Sequence, residues 1–198
     1  MEPLAGDATV REEERPSSPG EECELMQLVG QVQLRDISIG DLPLYEAMLT
    51  DPVTMSELGG PLPRGGLAEK LAGIVGEVEA GTVWYSVIAP DDAPTTPAGT
   101  VCIWDHDEDG ETIAEIGWMV LPLFQGRGMA SGAVRSILHR ARATRRWEVI
   151  HAFPGITNGP SNAICRRFGF VREEEREIVY AGRTLRCNHW VLDLRGET

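Results

Sequence analysis

Lysine is nearly missing from this chain: Lys70 is the only one, against seventeen arginines. Cations as a whole are outnumbered, 18 Lys and Arg against 31 Asp and Glu, for a formal net charge of −13. A deficit of that size argues against a nucleic-acid partner, whose phosphates need a basic footprint. It suits a cationic substrate, or serves only to keep the molecule soluble. No run of about 18 apolar residues occurs, so no membrane-spanning helix is expected. The opening MEPLAGDATVREEERPSSPGEE has no basic start followed by an apolar core, so no secretory signal is expected. The expected compartment is the cytoplasm. Cysteine is sparse. Cys23, Cys102, Cys165 and Cys187 form no CxxC pair and have no histidines at zinc spacing, which predicts reduced thiols and no metal centre. His106, His139, His151 and His189 are scattered and suggest neither a metal site nor a serine triad.

What is present fits one domain. A chain of 198 residues with 42% hydrophobic content can bury one full core. Residues 1–24 hold eight acids and two arginines, so they carry −6 of the net charge and leave −7 for the rest. With their Pro-Ser-Ser-Pro-Gly stretch, residues 1–25 are expected to form a disordered acidic tail ahead of a domain over 26–198.

From there strand-like and helix-like patterns alternate. VGQVQLRDI predicts a strand and DLPLYEAML a helix capped by Asp41. GLAEKLAGIVGEVEAG carries Leu67, Leu71, Ile74, Val75 and Val78 on one stripe and predicts a helix. TVWYSVIA, GTVCIWD and TIAEIGWMVLP read as strands, with DHDEDGE turning the chain between the last two. A helix is expected from about 128 to 144, then a strand at WEVIHAF and a short helix at PSNAICRRF. A hairpin around Ala181-Gly182 closes the chain. The order predicts a mixed α/β sheet flanked by helices. Trp84, Tyr85 and Trp104 are expected in the core or a pocket wall.

The junction QGRGMAS, residues 125–131, lies between a predicted strand and the longest predicted helix. A helix's first turn leaves N–H groups unpaired at its positive end, and glycines let a phosphate approach the backbone. Arg127 adds a cation. The spacing Q-x-x-G-x-A is neither the dinucleotide fingerprint nor a P-loop, and a plain tight turn fits it as well.

Together with NGPSNAICRRFGF, this segment resembles the GNAT superfamily of acyl-CoA-dependent N-acyltransferases. The arrangement WMV–LPLF–QGRGMA matches that family's strand, link and (Q/R)-x-x-G-x-(G/A) cradle from Trp118 to Ala130. Asn158, Ser161, Cys165, Gly169 and Phe170 match its later signature, except that Cys165 stands where many members carry tyrosine. The pattern is most similar to the subset of ribosomal-protein N-terminal acetyltransferases.

The resemblance implies a GNAT fold, a mixed and mostly antiparallel sheet splayed at the cofactor strand. It implies acetyl-CoA as cosubstrate and no metal. Gln125, Gly126, Arg127, Gly128, Met129, Ala130 and Ser131 would hold the diphosphate. Freed backbone of Trp118, Met119 and Val120 would bind the pantetheine arm, the Val120 N–H would face the thioester oxygen, and Asn158 would touch the arm from the other side. The implied reaction is direct acetyl transfer in a ternary complex to a primary amine, either a protein N-terminus or a small molecule, with a homodimer as one possible assembly. The rival is a coenzyme A-binding regulatory module without catalysis.

Three catalytic candidates follow. Glu115, on the strand before the cradle, is the candidate base for an amine of pKa about 10; alternatively it lies on a solvated face or pairs with an arginine. Cys165 either replaces the acid tyrosine or is a small buried side chain. Ser161, four residues earlier and so on the same helix face, either lies near the sulfur or is an ordinary first-turn residue. The stretch from Asp105 begins like an EF-hand loop, but position twelve is Ile116 and strands flank it, so calcium is rejected.

Overall fold

The computed structural model describes residues 32–108 and 110–195. The acidic tail, Cys23, Asp109 and the first three residues of the predicted VGQVQLRDI strand lie outside the described residues. Seven strands form one sheet: β1 (Val32–Asp36), β2 (Trp84–Pro90), β3 (Gly99–Glu108), β4 (Glu111–Val120), β5 (Val149–Ala152), β6 (Val171–Tyr180) and β7 (Arg183–Asp193). Their spatial order is β1-β2-β3-β4-β5-β7-β6. Every pairing is antiparallel except that of β4 with β5. This is the mixed α/β sheet that the element order predicts, mostly antiparallel as the family resemblance implies.

Among the described residues four α-helices cover the sheet: α1 (Leu42–Thr50), α2 (Leu67–Glu79), α3 (Met129–Thr144) and α4 (Gly159–Arg167). The alternation of side chains along the strands gives two cores. On one face Val101, Ile103, Ile116 and Ile150 pack with Val134, Ile137 and Leu138 of α3. On the other, Val87 packs with Met48 and Leu49 of α1 and Leu67 and Leu71 of α2. The stripe read on α2 therefore faces the sheet, with Ile74, Val75 and Val78 partly buried along it.

Two local features differ from the sequence reading. Asp41 stands before α1, yet its carboxylate turns back to accept from the N–H and hydroxyl of Ser38 (2.9 and 2.8 Å) and from Arg35 (2.8 and 2.5 Å). DHDEDGE is mostly strand: β3 runs on to Glu108, which pairs with Glu111, and Gly110 supplies a positive φ of 85° in the turn. All four side chains over 105–108 are polar, exposed and half-buried in turn, so the ladder continues there without fully burying a charge. The closing hairpin turns at Ala181 and Gly182, both with positive φ (49° and 76°), as a two-residue turn with the right twist requires.

Candidate active site

The parallel contact between β4 and β5 has a single register pair, Glu115 with His151. Beyond it the two strands part. The phase of β4 is set at its far end, where the Leu121 N–H donates to the Ala98 carbonyl at 2.8 Å. Residues 117, 119 and 121 therefore bond to β3, and the peptide groups of Trp118 and Val120 turn toward the gap. The Val120 carbonyl accepts from Gln125 Nε2 at 2.9 Å, which leaves its N–H on the open side. The Met119 carbonyl faces β3, so close that a Cβ on Gly99 would lie 2.1 Å from it.

A cavity of about 790 Å³ runs through this gap, lined from both faces of the sheet. On the α3/α4 side its walls include Gln125, Ala130, Asn158, Ser161 and Ile164. On the α1/α2 side they include Tyr45, Tyr85, Trp104, Glu115 and Tyr180. The Trp104 ring lies over Gly117, where a Cβ would come within 3.2 Å of it. Burial pushes the Tyr45 hydroxyl up to about 12 and raises that of Tyr85 well above the ordinary tyrosine value, so both stay neutral. Glu57, Glu77 and Asp105 add carboxylates to the lining, and Lys70, the chain's one lysine, is there too.

Glu115 lies mid-strand in the wall, 19% exposed, with Oε2 2.9 Å from Nε2 of His106. Burial raises its carboxyl above the usual range, against the opposing hydrogen bond and charge of His106. His106 is itself raised, chiefly by that hydrogen bond. Glu115 is thus half-buried with a histidine as its partner. Across the gap, His151 Nδ1 lies 2.8 Å from His189 Nε2, and burial lowers both rings. Of the four histidines scattered in sequence, His151 and His189 thus meet each other and His106 meets Glu115, while His139 is exposed on α3. Among the described residues no group of three His, Cys, Asp or Glu could hold a metal.

The junction after β4 is a single 3₁₀ turn (Pro122–Phe124) followed by Gln125 and the start of α3. Gly126 and Gly128 both take positive φ, 72° and 75°, a conformation that glycine adopts without penalty. A Cβ built on Gly126 meets nothing within 4 Å, so the backbone there is bare to an incoming group. The first amides of α3 point outward by construction. Arg127 is exposed beside this turn, its guanidinium 5.6 Å from the Phe124 ring centre. Met129 goes instead to the core, 8% exposed, while Ala130 reaches the cavity wall and Ser131 is half-buried in the first turn.

The side chain of Asn158 caps α4 by accepting from the Ser161 N–H at 3.1 Å. That bond places Ser161 at the cavity wall. Cys165, one turn on, is fully buried in the core with Phe170 and Trp190, and burial pushes its thiol up to about 12. It is not among the lining residues, so the structure does not bring Ser161 and Cys165 together at the cavity. Asn162 anchors the helix. Its amide donates to the carbonyls of Gly155 and Asn158 (2.9 and 2.8 Å) and its oxygen accepts from Asn188 and Trp190 (2.8 and 2.9 Å). Tyr85 and Trp104 stand in the pocket wall as expected, whereas sequence reasoning missed His106, Asn162, Tyr45 and Tyr180; of these His106 alone had a local signal, its alternation with Trp104 in a continued strand.

The Acetyltransferase (GNAT) domain family matches residues 31–171. No curated protein sequence matches the chain. Among solved structures, the chain is similar to a GNAT-family acetyltransferase from Bacillus anthracis, with a TM-score of 0.67 and 16% identity over 85% of this chain and 98% of that one. It is also similar to a Salmonella typhimurium acetyl transferase that modifies the N-terminal serine of ribosomal protein L7/L12 (0.66, 17%, 82% and 95%). A third is the spermidine N-acetyltransferase of Vibrio cholerae, solved with CoA and spermine (0.68, 17%, 83% and 96%).

Proposed function

The chain belongs to the GNAT acetyltransferase family, and from that premise we propose that it moves an acetyl group from acetyl-CoA to a cationic primary amine, by direct attack in a ternary complex. The observation that carries the proposal is the cavity through the splayed sheet, with a bare glycine turn at one side and a buried carboxylate in the other wall.

The residues present fit the cosubstrate. The amides opening α3 and the uncrowded backbone at Gly126 suit a diphosphate, and Arg127 adds charge beside it. The N–H groups of Trp118 and Val120 are turned toward the gap, where an extended amide-bearing arm can pair with them as a strand would. When bound, acetyl-CoA supplies an activated thioester. The Val120 N–H is the donor this chain offers to that carbonyl, since its own carbonyl is engaged by Gln125. Ser161 rather than Cys165 is the side chain of α4 available to the departing sulfur.

The acceptor comes from the α1/α2 side. Neutral tyrosines, Trp104 and carboxylates make a wall that favours a positively charged amine over a neutral one. Glu115 removes the ammonium proton. Its raised pKa makes it a stronger base than an exposed glutamate, closer to working pH.

The test mixes the purified protein with acetyl-CoA and a panel of N-terminal peptides, diamines and aminoglycosides, and follows thiol release. Turnover on a charged amine, cut at least about 100-fold by Glu115→Gln, supports the reading. Tight CoA binding with no turnover on any amine would refute it and favour a non-catalytic coenzyme A-binding module.

A further inference from the structure

Glu115 does not meet the cavity alone. His106 sits behind it, outside the lining, with one ring nitrogen on the glutamate and the other on the backbone. The Asp107 carbonyl can only accept, so the Nδ1 that lies 3.2 Å from it carries the hydrogen. That fixes the tautomer. In the neutral ring Nε2 then presents a lone pair to Glu115 Oε2 at 2.9 Å. Two lone pairs at that separation repel, and a proton between them turns the contact into a charge-assisted hydrogen bond. The arrangement holds one proton more tightly than either group would alone, and it titrates as a unit.

Resting on the acetyl-transfer reading, we infer that His106 and Glu115 act as one base, with His106 the positioning residue that sets the proton affinity of the glutamate. The acceptor's N–H bond breaks as the Glu115 oxygen turned toward the amine takes the proton and the amine keeps the electron pair for attack, while the Oε2–Nε2 contact with His106 sets how tightly the carboxylate holds it. The His106 side chain is 28% exposed, so the pair exchanges its proton with water. The glutamate's other oxygen remains free to face the amine.

The surroundings bear on the titration from every neighbouring strand. Cys102, Asp107 and Glu108 lie on β3, and Glu108 faces Arg176 of β6 at 3.6 Å. His151 of β5 stands in register with Glu115, and Cys187 of β7 senses the glutamate's charge. Burial raises the thiols of Cys102 and Cys187 to about 12 and about 11 and lowers His151. Both thiols therefore stay neutral where the pair titrates, while the nearby charge of Glu108 favours the protonated form of both His106 and Glu115.

Two measurements test this. In the first, the His106 ring resonances are titrated by NMR in the wild-type protein and in Glu115→Gln, without cosubstrate. The expected result is a wild-type midpoint above about 6.5 that falls by at least about one unit in the variant. An unchanged midpoint overturns the proposal. In the second, the pH dependence of kcat/KM is compared between wild type and His106→Gln. The acidic limb is expected to move down by at least about one pH unit, and the plateau rate to fall about tenfold as the base weakens. A purely structural role lowers the plateau without moving the limb, and that outcome also overturns it. The two failures are distinguishable. Turnover with an uncoupled ring or an unmoved limb removes only the shared base, whereas absence of turnover on every amine removes the acetyl-transfer reading and the base with it.

Discussion

Gly99 opens β3 opposite Val120, at the point where β4 approaches the cavity mouth. A Cβ there would lie 2.1 Å from the Met119 carbonyl oxygen and 2.8 Å from the Val120 Cα, both backbone atoms. Side-chain carbons are essentially never found closer than 3.0 Å, so Gly99→Ala has to drive the end of β4 away by about 0.9 Å. No rotamer change relieves the clash, because no side chain is involved. Overpacking of this kind costs about 1–3 kcal/mol. For a protein of this size that lowers Tm by roughly 2–12 °C. The larger effect falls on catalysis, because the displaced segment carries the Val120 N–H. A misplacement of about 1 Å in a site costs on the order of 100-fold in rate. The assay is kcat/KM for the best amine, beside a thermal melt and the Kd for CoA. Gly73→Ala is the control: it lies in α2, where a Cβ meets nothing, and is expected to raise stability by about 0.5–1 kcal/mol with no change in rate. A folded Gly99→Ala protein with wild-type kcat/KM would refute the assignment of the Val120 amide to the reacting carbonyl.

Other outcomes follow from single residues. Gly126→Ala adds a methyl to open space at φ 72°, so it is expected to cost about 1 kcal/mol of stability but tenfold or more in CoA affinity, read by calorimetry. Asn162→Ala strands the buried Asn188 amide and Trp190 indole N–H and is expected to cost about 3 kcal/mol, seen as a Tm lower by roughly 6–12 °C. Cys165→Ala removes a sulfur that does not line the cavity, so kcat is expected to stay within about twofold while stability falls by about 1 kcal/mol. The Asp41 carboxyl is held below its usual value first by its bond to Arg35, then by Ser38. A lowered folded pKa stabilises above the unfolded value near 3.8 and is lost as pH falls through the folded one. Asp41→Asn is therefore expected to lower stability at pH 7 and to flatten its decline below pH 4, as measured by urea unfolding.

Much of the fold was legible because its signals are local. The glycine turn of QGRGMA, the stripe on α2 and the Ala181-Gly182 hairpin each state their conformation within a few residues, and each is where it was read. The Glu115–His106 contact was not legible, because it depends on where β3 ends. A turn starting at Asp105 makes His106 a loop residue; three more residues of ladder put it on the face of Glu115. Asn162 was missed for a related reason. Its partners Asn188 and Trp190 are 26 and 28 residues away, and nothing near SNAICRRF announces them. Cys165 stands where the family motif carries a tyrosine, but the helix face it occupies turns into the core, in one cluster with Phe170 and Trp190.

One rung joins strands one to four with strands five to seven. A sheet stitched so lightly has a seam, and whatever fills the seam becomes part of the architecture. On the proposed reading the cosubstrate does so, making occupancy and folding one equilibrium: at a hundred times Kd it would add about 2.7 kcal/mol to the unfolding free energy. Amide exchange should slow most at Trp118 and Val120, and a protein kept without its cosubstrate should come apart first along that line.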